Sequence, residues 1–194
     1  MIPGVFVSHR GRLLVATPDL GDPNFDRTVV FLLDHTDGGA VGVVLNRPTD
    51  TPLTEAGAEW DGWDALATDP AVVFMGGPVS PTAVICVARA DAMDPAGEDA
   101  TPAPGFQPVL GNIGVVDLSG PPQRVEAVRF FAGYAGWGGG QLEGEVAAGA
   151  WFVVDALASD PLGPEPADLW RHVLRRQGGR LSLFAACPPD PSVN

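Results

Sequence analysis

Apolar residues recur along this chain in short runs bounded by glycine, proline, asparagine and aspartate, the pattern of strands rather than of long helices. The runs fall at 13–16, 28–33, 41–45, 71–75, 83–88, 113–118, 125–134, 151–154 and 181–185. Several are continuous Val, Leu, Ile and Phe instead of alternating, which predicts strands buried on both faces. Between the second and third runs lies Asp34-His35-Thr36-Asp37-Gly38-Gly39. Its Asp-Gly pair can supply the positive φ of a hairpin turn, so the spacing predicts a hairpin with His35 in its loop.

Helical periodicity is scarcer. Leu53, Ala56, Trp60 and Trp63 stand at helical spacing, although Gly57 and Gly62 oppose a helix there. A short helix is predicted to open at Gln141, carrying Leu142 and Val146 on one face. The best helix spans 165–177, with Pro166 in its first turn and Gly178-Gly179 to end it. Leu169, Trp170, Val173 and Leu174 form its apolar stripe, and Asp168, Arg171, His172, Arg175 and Arg176 cover the other side. About nine strands with three helices cannot build a regular βαβ repeat, which needs a helix for every crossover. Two-sided strands with so few covering helices require a sheet that curls onto itself, a partly closed barrel flanked by helices. The stretch 89–108, rich in proline, reads as a surface loop. No internal repeat or linker interrupts the chain, so its 194 residues are read as one domain.

Composition changes this picture at the surface. Net charge is −13 and all 11 basic residues are arginine. Without lysine, Schiff-base chemistry and Walker-type phosphate binding are excluded, and an acidic surface disfavours nucleic acid and anionic membrane. Gly 25 and Pro 20 mark a folded domain with many turns. Cys86 lies in an apolar run and Cys187 beside two prolines, a spacing that suggests neither a disulfide framework nor a zinc site. No stretch approaches membrane-spanning length and no leader is evident, so the expected compartment is the cytoplasm.

Four segments stand out: Asn46-Arg47-Pro48, Gly76-Gly77-Pro78-Val79, Gly133-Tyr134-Ala135-Gly136-Trp137-Gly138-Gly139-Gly140-Gln141-Leu142-Glu143, and Asp190-Pro191-Ser192-Val193-Asn194. Together with Leu13-Leu14-Val15-Ala16-Thr17-Pro18, Asp22-Pro23-Asn24-Phe25-Asp26-Arg27-Thr28 and Gly42-Val43-Val44-Leu45, they make the sequence resemble the YqgE/AlgH family of bacterial proteins. The match spans nearly the whole chain in order, and Gly139 departs from the family's usual proline. The resemblance implies an α+β fold with a bifurcated, partly barrel-like mixed sheet. It supplies no catalytic residues, although members are often labelled transcriptional regulators.

Each segment has a chemical and a structural reading. The Gly133–Glu143 run suits a Gly-rich anion site at a helix N-terminus, but Glu143 and Glu145 already place negative charge in that turn. Turns that let Tyr134 and Trp137 pack, with Gln141 and Glu143 following, are the more economical reading. Gly76 and Gly77 could let backbone approach a ligand or simply turn the chain. Arg47, held between Asn46 and Pro48, could grip a carboxylate, most economically one of this protein's own. His35 beside Asp34 and Asp37 could serve acid–base chemistry, but no nucleophile motif accompanies it, and the three histidines share no metal-ligand spacing. Arg171, Arg175, Arg176 and Arg180 form the one patch suited to nucleic acid or an acidic partner. The expectation is a binding or regulatory protein without cofactor or metal, meeting a protein or small ligand. The alternatives are DNA contact through the C-terminal helix, or a hydrolase or isomerase using His35.

Overall fold

The computed structural model describes residues 6–56, 62–91 and 103–187. Ten strands form one mixed sheet: β1 (Arg12–Ala16), β2 (Val29–Thr36), β3 (Gly39–Val44), β4 (Pro48–Pro52), β5 (Val72–Met75), β6 (Val79–Ala90), β7 (Phe106–Leu110), β8 (Ile113–Val116), β9 (Val125–Gly138) and β10 (Trp151–Asp155). The path β10-β1-β2-β3-β9-β6-β8-β7 is antiparallel throughout, and β5 joins β9 in parallel while pairing with β4. Helices α1 (Gln141–Ala147), α2 (Leu169–Gln177) and α3 (Gly179–Phe184) complete the fold. The sheet curls into a half-barrel, as the strand pattern predicted, and the α+β fold that the family resemblance implied is what forms.

The bifurcation lies in β9. Its residues Ala135–Gly138 pair with β3, whereas Phe131 and Ala132 on the way there pair with β5. Three glycines make this crossing possible. A Cβ on Gly76 would lie 2.2 Å from the Gly133 carbonyl oxygen, one on Gly133 would lie 2.5 Å from that of Gly77, and one on Gly77 would lie 2.2 Å from the Tyr134 carbonyl carbon. Gly77 (φ +153°) and Gly133 (φ +70°) also hold backbone angles that side chains oppose. These glycines stand where the chain reverses between β5, parallel to β9, and β6, antiparallel to it, and they let three backbones touch.

Strand burial is two-sided, as the continuous runs predicted. Leu13, Val15, Phe31, Val43, Phe74, Val87 and Phe131 face inward onto Trp170, Val173 and Leu174 of α2. Their strand neighbours Leu14, Ala16, Val30, Leu32 and Val44 face outward, beneath Leu142 of α1. A third cluster around Trp63, Cys86, Val128 and Phe130 covers the outer face of β6, β8 and β9. Burial pushes the Cys86 thiol far up from its ordinary pKa, whereas Cys187 is half-exposed. Ellman's reagent is therefore expected to find one reactive thiol in the native protein and the second only after denaturation.

Several boundaries differ from the sequence reading. The run 181–185 is not a strand: Gly178 (φ +67°) and Gly179 (φ +52°) reverse the chain, and α3 follows, with Phe184 against Phe152. A short apolar run cannot be assigned by periodicity alone. Residues 53–56 are turn rather than helix, Trp60 lies outside the described residues, and beyond them only the 3₁₀ turn Asp64–Leu66 forms. The expected loop 89–108 is strand at both ends, since β6 reaches Ala90 and β7 begins at Phe106; its middle lies outside the described residues. The terminal Pro191-Ser192-Val193-Asn194 also lies outside them. The 165–177 helix forms as a 3₁₀ turn followed by α2 and stops at Gly178, as expected.

Candidate functional site

Two clusters form on the outer face of the half-barrel, one on either side of α1. His35 belongs to the first. It is not in a loop but in β2, where a bulge at Leu33 breaks the register between Leu32 and Asp34. Under regular alternation His35 would share the inward face of Phe31 and Leu33; with Leu33 bulged out of the register, His35 stands opposite Ala40 on the face of α1. The ring is 3% exposed. Its Nδ1 accepts the His9 backbone N–H (2.9 Å), so Nε2 carries the hydrogen and donates to Glu143 Oε1 (2.9 Å). His9 stacks on it and Phe6 meets it edge-on. Asp34 accepts the His35 backbone N–H and does not reach the ring, so the expected Asp34 or Asp37 partnership gives way to Glu143. The hairpin turn itself is Asp37-Gly38, and the positive φ falls on Gly39 (+140°).

His9 gives this cluster a pH signature. Burial above all, then the nearby His35 and Arg12, lowers its pKa from the ordinary 6.5 against the opposing pull of Glu143. The unfolded chain then binds this proton more readily than the folded one, so stability is complete above about pH 6.5 and declines as pH falls through that value. Urea unfolding of His9→Gln is expected to lose less stability between pH 7.5 and 5.5 than the wild type does, measured side by side (values of about one unit either side of the ordinary histidine pKa).

The second cluster surrounds a cavity of about 340 Å³. Leu20, Asp22 and Phe25 line it from the segment after β1, Trp137 from β9, Gln141 and Glu145 from α1, and Trp151 from β10. Both indole N–H groups donate to Glu145 Oε2, from Trp137 at 2.9 Å and Trp151 at 2.8 Å. Gln141 Nε2 donates to Oε1 (3.0 Å), and its own Oε1 accepts the Gly138 N–H (3.0 Å). The rings stand at right angles, with centroids 6.0 Å apart, and Phe25 packs edge-on against Trp151 at 5.4 Å. Helical spacing explains the division: Gln141 and Glu145 are four apart and share a face, while Glu143 turns the other way to His35.

The remaining sequence candidates go elsewhere. Asn46 accepts the Val29 N–H and donates to the Arg27 carbonyl, tying the ends of β2 and β3. Arg47 donates to the Asp26 main-chain carbonyl (2.6 Å), not to a carboxylate as expected. Gly76, Gly77 and half-buried Tyr134 belong to the sheet junction. Of the arginine patch, Arg176 is spent on Asp160 in a two-pronged ion pair (2.5 and 2.7 Å), Arg171 is half-buried, and Arg175 and Arg180 are exposed. Sequence reasoning missed the cavity's Leu20, Asp22, Phe25, Glu145 and Trp151. The Gln141–Glu145 spacing was a usable signal, but nothing local pairs Trp151 with Trp137.

Arg129 was also missed. It is 2% exposed and donates to the carbonyls of Pro161 (3.2 Å), Asp69 (2.7 Å) and Gly163 (2.8 Å), with its guanidinium over Phe74. Burial lowers its pKa to about 10, so it stays charged at neutral pH. Among the described residues no group of His, Cys, Asp and Glu could hold a metal ion, and no helix is long and apolar enough to cross a membrane.

A family model described as AlgH-like matches residues 13–182. A UPF0301 protein of Streptomyces coelicolor is 52% identical over 96% of both chains, and one of Streptomyces avermitilis 51% identical over the same shares. Among solved structures, a Corynebacterium diphtheriae protein superposes with a TM-score of 0.81 at 29% identity, covering 94% of each chain. The solution structure of AlgH from Pseudomonas aeruginosa gives 0.63 at 26% identity, covering 97% of this chain and 98% of that one.

Proposed function

This chain belongs to the AlgH-like family, and from that premise we propose that it is a ligand-binding protein whose site is the aromatic cavity beside α1. One observation carries the reading: the polar groups on the cavity wall are held by one another before any ligand arrives. Glu145, Gln141 and the two indoles form one connected hydrogen-bond set, which fixes the wall and lowers the ordering cost of binding. A small apolar cavity with a few placed polar groups is the usual form of a small-molecule site. Catalysis is the weaker reading, because both ring nitrogens of His35 are occupied and Arg47 lies elsewhere.

A fragment screen on the full chain, followed by tryptophan fluorescence and thermal shift, tests it. Gly136→Phe supplies the control, since a Cβ there meets nothing nearer than the Tyr134 ring at 3.4 Å while the position lines the cavity. Fragments should bind the wild type and lose about tenfold or more against the plugged variant. Fragments that bind both proteins equally would place the site elsewhere.

A further inference from the structure

Resting on the cavity reading above, we infer that the ligand is an organic ammonium ion. The charge on the cavity wall is of one sign: Asp22 and Glu145 line it, and no arginine or histidine does. Glu145 is not exhausted by its neighbours. Two indoles share Oε2 and Gln141 takes one direction of Oε1, leaving one of the carboxylate's roughly four acceptor directions open. Asp22 uses Oδ1 for the backbone and side-chain amides of Asn24, and its other oxygen has no hydrogen-bond partner among the described residues.

The aromatic side of the wall points the same way. An indole is electropositive at its N–H edge and electronegative over its face. Trp137 and Trp151 both turn the N–H edge onto Glu145, and although packed into the core (7% and 3% exposed) each contributes part of its ring to the cavity lining. With Phe25 they line the cavity with aromatic carbon next to two carboxylates, a composition that suits an alkylated ammonium through cation–π attraction. An anionic ligand would meet two carboxylates with no counter-charge. A neutral one would leave Asp22 and Glu145 facing it without a charged partner. The chain's charge of −13 adds a long-range field that concentrates cations and repels anions.

The test pairs each cation with a neutral twin. Choline and phenethylammonium are titrated into the full chain by calorimetry, alongside their neutral counterparts 3,3-dimethyl-1-butanol and 2-phenylethanol. At least one ammonium is expected to bind about tenfold or more tightly than its neutral counterpart, with affinity falling as salt rises. Glu145→Gln should remove that preference. Because this change also disturbs Gln141, Asp22→Asn serves as the second variant: it keeps the oxygen that caps Asn24 and removes only charge. Equal affinity for cation and twin, or ammonium binding unchanged in both variants, overturns the assignment. Binding of the neutral twins alone would sink the ammonium class and leave the cavity as a binding site. If no probe of either kind binds below about 10 mM, weaker than fragments of this size achieve in a real site, both readings fall.

Discussion

Gly77→Ala is expected to cost the protein about 3 kcal/mol or more, enough to lower its melting temperature by roughly 10 °C or prevent folding altogether. Two penalties act at once. The residue holds φ +153°, and its new methyl would sit 2.2 Å from the Tyr134 carbonyl carbon and 2.3 Å from the oxygen. Backbone cannot swing aside as a side chain can, so relief requires parting the strands where β9 passes from β5 to β3. Gly140→Ala separates the two penalties, because Gly140 also has positive φ (+75°) but nothing within 4 Å of a Cβ. That control should lose only about 1–2 kcal/mol. Circular dichroism melts of the two variants check the prediction, and equal losses would mean that the close approach is unimportant.

Arg129→Met is the second large effect. Methionine fills similar space over Phe74 but donates nothing, so the carbonyls of Asp69, Pro161 and Gly163 lose their donor together. An unpartnered buried polar group costs about 1–3 kcal/mol, so a net loss of about 3–5 kcal/mol is expected even after the arginine's own desolvation is relieved. Arg129→Lys should recover little, since one ammonium cannot span three carbonyls that a planar fork reaches. Urea midpoints would show this. The cavity beside α1 shares no residue with this clamp, so ligand binding at a temperature where the variant is folded should be unchanged.

Both residues show what the sequence could and could not reveal. The glycines were visible as motifs, but Gly76 and Gly133 are 57 positions apart, and only the curled sheet brings them together. Arg129 was hidden because it sits in the middle of an apolar run and its partners are main-chain atoms, which leave no mark on residue type. The two-sided strands and the helix ending at Gly178 were legible because they rest on local pattern. His35 was read into the hairpin loop because the apolar run ends at Leu33, whereas β2 continues through the polar Asp34–Thr36, and the bulge that then turns the ring toward α1 leaves no mark in hydrophobic patterning. The aromatic cavity unites segments around residues 20–25, 137–145 and 151, so only the separate parts could be seen in advance.

The long strand β9 carries an evolutionary consequence. It serves three neighbours with a fixed phase: Ala127 and Phe131 inward, Val128 and Phe130 outward, Gly133 at the crossing, Trp137 at the cavity. Deleting or inserting one residue within it would invert every later side chain and separate Gly133 from Gly77. Point substitutions can therefore accumulate along β9, but its length cannot drift. Descendants of this chain that differ in size must gain or lose residues between strands, and an alignment of its relatives should place no gap from Val125 to Gly138.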